Sequence, residues 1–118
     1  MNDLFLETLV MSSDEDQPII HDLIVGFSES TRNLVIQIET RDYERGETRI
    51  NVSATVAKED AYRLGKRLGT PLTSLPSFIT DCMDDYRKIV NANLYDLQDC
   101  FKAILDALVS EHCRYKVC

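Results

Sequence analysis

Long apolar runs are missing from this chain, and no stretch reaches the 18 or more apolar residues of a membrane span. The opening Met1-Asn2-Asp3-Leu4 lacks the basic segment that begins a signal peptide. Basic residues are in deficit, with 13 Lys and Arg against 20 Asp and Glu and a net charge of −7. Nucleic-acid binding depends on cations that neutralise phosphates, so this balance argues against direct DNA or RNA binding. An anionic membrane surface is disfavoured for the same reason. A Gly-rich phosphate loop, His-Glu-x-x-His and Cys-x-x-Cys are all absent. Internal repeats and low-complexity tracts are absent too. From residue 77 onward there is neither Gly nor Pro, so nothing in that stretch forces a helix to stop.

What is present describes one globular domain, residues 1–118. Hydrophobic residues make up 44% and charged residues 28%, which is too apolar for a disordered chain. A chain of 118 residues is long enough to bury a real core. Cys82, Cys100, Cys113 and Cys118 all fall in the last third, three of them in expected helix. A disulfide framework would tie distant segments together, so reduced thiols and a cytoplasmic location are the expectation.

Residues 3–11 are apolar but too short to show a clear period. An edge strand is slightly favoured there over a short helix capped by Asp3. Residues 12–18 are polar and end in Pro18, a loop whose Asp14-Glu15-Asp16 run reads as solvated acid rather than a calcium loop, which would need spacers and a Gly turn. Three strands follow between about 19 and 56, joined by short turns of the kind that make antiparallel hairpins. The first is 19–27, with His21, Leu23, Val25 and Phe27 on one face and Ile24 opposite. The second is 34–41, with Leu34, Ile36, Ile38 and Thr40 inward and Gln37, Glu39 and Arg41 in solvent. The third is 48–56, with Ile50, Val52, Ala54 and Val56 inward. Residues 57–68 switch to helical period, with Glu59 and Asp60 early, Lys66 and Arg67 late, and Gly69 as a stop. Ser74 is expected to cap the next helix, with Pro76 in its first turn.

The chain is organised around a stripe in residues 75–115. It runs through Leu75, Ile79, Cys82, Tyr86 and Val90, crosses Asn93, and continues through Leu97, Phe101, Ile104, Leu108, His112 and Tyr115. The steps of three and four make an eleven-residue repeat, close to a straight α-helix. As one helix, 77–112 would be about 54 Å long. A domain of this size is about 35 Å across. Either the stretch breaks at Asn91-Ala92-Asn93 into a hairpin, or its overhang is covered by a second copy. The fold class is therefore α+β. It is a three-stranded antiparallel meander (four-stranded if residues 3–11 join), followed by a short helix and a long C-terminal helix or helical hairpin, about 75–113, packed on one face.

Chemistry-bearing clusters are few. His112, Cys113 and Cys118 would need Cys100 or Cys82 to complete a zinc set, and Cys100 lies about 18 Å from His112 along a continuous helix. Neighbouring helical residues point about 100° apart, so His112 does not naturally activate Cys113. Asp81, Asp84 and Asp85 share a helix face but lack the facing Glu-x-x-His contribution of a carboxylate metal site. No catalytic, cofactor-binding or metal residue is assigned, and no cofactor is expected. The sequence points instead to a small acidic protein–protein interaction domain, whether adaptor, chaperone-like, inhibitory or regulatory. It is expected to be homodimeric through Tyr86, Val90, Leu97, Phe101 and Leu108, with a basic protein as a further possible partner and no membrane contact. One alternative is a small-ligand-binding domain or enzyme with His21, Tyr62, Tyr86 and His112 converging in a pocket. The other is an acidic nucleic-acid mimic that inhibits a nucleic-acid-binding protein.

Overall fold

Short polar turns between alternating segments build an antiparallel meander. The computed structural model describes residues 4–13 and 18–118. The Asp14-Glu15-Asp16 run and the capping role considered for Asp3 lie outside them. Strands β1 (Leu4–Ser12), β2 (Ile19–Ser28), β3 (Leu34–Asp42) and β4 (Glu47–Val56) sit side by side in chain order. The favoured strand is present as Leu4–Ser12, and the sheet gains a fourth member.

β2 and β3 pair without interruption from Ile19↔Asp42 to Phe27↔Leu34. That register puts Leu23, Val25 and Phe27 beside Ile38, Ile36 and Leu34 on the helix-covered face. β4 departs from strict alternation. Ile38 faces Val52 but Glu39 faces Ile50, so Asn51 is an extra residue in a bulge. One added residue reverses the facing of everything before it. Ile50, expected inward, therefore sits on the opposite face and is 54% exposed. β1 carries two similar irregularities, at 6–7 and at Val10, with Leu6 at φ 51°. The first brings Glu7 directly over Gly26, where an added Cβ would stand 3.0 Å from the Glu7 Cβ.

The helices follow. In α1 (Lys58–Leu68), the first turn borrows its cap from the sheet, because the Lys58 amide donates to Asn33 Oδ1 at 3.1 Å. Gly69 ends it at φ 66° in the left-handed conformation, as its position implied. A 3-10 turn (Leu72–Ser74) leads into α2 (Leu75–Cys82), with Pro76 in its first turn. Ser74 heads α2 without a side-chain capping bond, contrary to expectation, since the preceding turn already holds its backbone in helical conformation.

The long stretch is broken. After α2 come the one-turn α3 (Asp84–Arg87) and then α4 (Leu94–Ser110). Asn91 takes φ 57°, and Asn93 caps α4: its Oδ1 accepts from the Asp96 amide at 3.1 Å while Asp96 Oδ2 accepts from the Asn93 amide at 2.9 Å. This reciprocal box satisfies two amides that a helix start would otherwise leave open. At 17 residues, α4 is about 25 Å long and fits within its own domain, whose radius of gyration is 13.9 Å. It stops short of residue 113. His112, at φ 58°, reverses the chain, and Lys116–Val117 adds a short fifth strand, β5, to the free edge of β4.

All helices lie on one side of the sheet. α4 packs across β2 and β3, and α2 against β1 and β2. Leu23, Ile36, Ile38, Leu64, Leu75, Leu97 and Ile104 are fully or almost fully buried in the single core between them. Each such side chain contributes about 1.5–3 kcal/mol. Among the described residues, no helix is long and apolar enough to cross a membrane.

Candidate functional site

The stripe that organises the sequence is mostly consumed inside the molecule. Leu97, Phe101 and Leu108 are buried in the chain's own core, and Tyr86 packs half-buried against it. Only Val90, at 82% exposure, stands free of the core, in the break between α3 and α4. The apolar length that would have overhung a continuous helix is folded back onto the sheet.

The polar residues considered for a ligand pocket do not converge. His21 lines a cleft of about 490 Å³ with Ser13, Ile19, Asn91 and Asn93, between the start of β2 and the turn before α4. His112 lines a different cleft at the end of α1, Tyr62 lies on the outer side of α1, and Tyr86 packs against the core. An apolar recess of about 270 Å³ between α1, α2 and α4 is walled by Leu64, Leu68, Phe78 and Ile104 and contains none of the four.

The cysteines are all free. Burial pushes the Cys100 thiol up to about 12 and raises that of Cys113 as well, Asp60 adding to the effect and Arg67 opposing it. Both stay protonated at neutral pH, the opposite of what a nucleophile requires. Cys82 and Cys118 are exposed. Asp81, Asp84 and Asp85 are exposed across two short helices, and the guanidinium of Arg87 lies 3.8 Å from Asp84. Among the described residues, no group of three or more His, Cys, Asp or Glu side chains is placed to hold a metal ion.

The sheet face turned away from the helices is a different matter. The ladder places Ser12, Asp22, Glu39 and Ile50 in one row across it, and Leu9, Ile24, Gln37 and Ser53 in the next. Gly26, Val35 and Thr55 form a third. Polar side chains link the strands. Ser12 Oγ donates to Asp22 Oδ1 at 2.6 Å, and Arg41 Nε meets Asp22 Oδ2 at 3.3 Å. Arg41 Nη2 lies 3.6 Å from Glu39 Oε2, and Gln37 Nε2 donates to Glu39 Oε1 at 3.3 Å. Gln37 and Glu39, expected in solvent, are buried, Glu39 to 2% exposure. The Arg41 guanidinium, itself partly exposed, reaches Glu39. Leu9 on β1 is 49% and Ile50 on β4 is 54% exposed, one at each outer side of the four-strand face, with the buried Ile24, Gln37 and Glu39 between them.

Sequence alternation marked this face as the wet one, and for that reason overlooked it. The bulge at Asn51 that delivers Ile50 to it leaves no trace in residue type. No known family model matches the chain, and no curated protein or solved structure is similar to it.

Proposed function

We propose that the protein is a small cytoplasmic protein–protein interaction domain that pairs with a second copy of itself through the sheet face turned away from the helices. The observation that carries this reading is Leu9 and Ile50, half-exposed on the same face as Ile24 and Val35, where none of the described helices packs. Half-exposed apolar side chains at both outer strands of one sheet face are what a flat, symmetric partner face would cover.

The charges favour a second copy over a basic partner. Asp22 and Glu39 on this face are met by Arg41, which limits the negative charge it displays, Glu7 over Gly26 being a further carboxylate there. Two such faces meet with little like-charge repulsion, and a two-fold axis needs one self-complementary patch. Four strands about 4.8 Å apart and about eight residues long give a flat footprint of roughly 500 Å². That is below the roughly 800 Å² per partner of a standard interface, so the pairing is expected to be weak. Free, partly buried cysteines suit a reducing compartment.

The test is the solution mass by light scattering at about 100 μM, alongside Ile50→Lys. A mass of about twice the 13.5 kDa of one chain supports the pairing. Ile50→Lys should return the mass to that of one chain while the far-UV spectrum is unchanged, because Ile50 lies outside the core. A single-chain mass for the parent protein, or a dimer that tolerates the lysine, overturns the reading.

A further inference from the structure

Cations are scarce in this chain, yet four of its 13 Lys and Arg side chains line one cleft. Arg63, Lys66 and Arg67, at i, i+3 and i+4 on α1, share one helix face. The chain reversal at His112 brings Arg114 and His112 beside that face, and together they line an open recess of about 460 Å³. Asp60 is the one carboxylate in its wall, and it already serves two guanidinium groups, Arg63 at 3.0 Å and Arg114 at 3.7 Å. Arg67 donates to the backbone carbonyl of Glu111, which spends a hydrogen bond and no charge. The Lys66 ammonium lies over the Tyr62 ring, 5.3 Å from its centre. Cys113 completes the wall as a neutral thiol, held protonated first of all by burial.

Three guanidinium groups therefore stand with one carboxylate at this recess, and Lys66 lines its rim with its ammonium over Tyr62, in a molecule whose net charge is −7. Such a local excess needs a reason. We propose that this cleft binds a small phosphate-bearing molecule. Guanidinium groups match a tetrahedral oxyanion through paired hydrogen bonds, and a lysine adds a mobile point charge. A phosphate dianion would bring the recess close to neutrality. The volume is that of a small-molecule site. A polyanion such as RNA would extend over the acidic remainder of the surface and be repelled there. A compact anion lies within about one Debye length, ~8–10 Å, of the cations alone.

The probe is pyrophosphate, titrated into the full chain at low and at moderate salt and followed by amide shifts. Saturable binding centred on residues 60–67 and 111–114, weakening as salt rises, is the expected result. The exposed pair Arg63→Gln/Lys66→Gln should weaken it at least tenfold with Tm unchanged. Lys102→Gln, on α4 and outside the cleft, should leave it unaltered. Should the double variant unfold, Arg114→Gln alone carries the same comparison. Absent saturation, shifts spread over the whole surface, or a Gln variant that binds as the parent does would each overturn the assignment. None of these readouts touches the sheet face turned away from the helices, so the fate of the pairing proposal is independent of them.

Discussion

Glu39 is a costly placement. A carboxylate at 2% exposure on the middle strand gives up its hydration, and the loss is tolerable only because Arg41 and Gln37 reach it. His21 shows a milder version of the same conflict. Its Nδ1 lies 2.8 Å from Thr40 Oγ1, and burial holds its pKa below the ordinary 6.5. Arg49 adds to that depression, and Asp22 opposes it. The unfolded chain therefore takes up a proton at higher pH than the folded one. The stability gained from neutral His21 is complete above pH ~6.5 and is lost as pH falls through that value towards the folded-state pKa. Thermal unfolding at pH 7.5 and 5.5 should show Tm dropping on acidification, and dropping less in His21→Gln. Equal drops in the two proteins would remove His21 from the explanation.

Among the elements, the turn at 88–93 decides the shape of the helical layer. Asn93→Ala removes one half of the capping box and should cost about 1 kcal/mol, read as a lower midpoint in urea with an unchanged slope. An unaltered midpoint would show that packing of Leu97 and Phe101 alone fixes the start of α4. β2, β3, β4 and α1 were legible in the residues because each repeats its period over at least two turns or several alternations, and each ends in turn residues such as Gly69. The break near Asn91 was legible as one of two alternatives, since Asn is poor in mid-helix but not forbidden there. The bulge at Asn51 and the strand β5 were not, because one inserted residue or two paired ones carry no period. Of the basic cleft, Lys66 and Arg67 were legible only as charges suited to the end of α1, and Arg63 was not singled out. Arg114 joins them only through the reversal at His112, which depends on where α4 runs out of core to cover.

For the molecule as a whole, protection against hydrogen exchange should follow depth in the sheet. Amides of β2 and β3, paired on both sides, should exchange slowest. The Cys118 amide, bonded to the Ser53 carbonyl at the sheet edge, should exchange fastest among ladder amides. The reverse order would mean that the sheet opens from its centre. The order of the strands sets a timetable as well. β2 to β4 join through hairpin turns, whereas β4 and β5 are separated by the entire helical region, from Ala54 to Val117. Closing a loop of about 60 residues costs roughly 2 kcal/mol more than closing a hairpin of about five. β5 should therefore be the last strand to zip and the first to detach, and until it zips the growing sheet keeps an adhesive margin along β4.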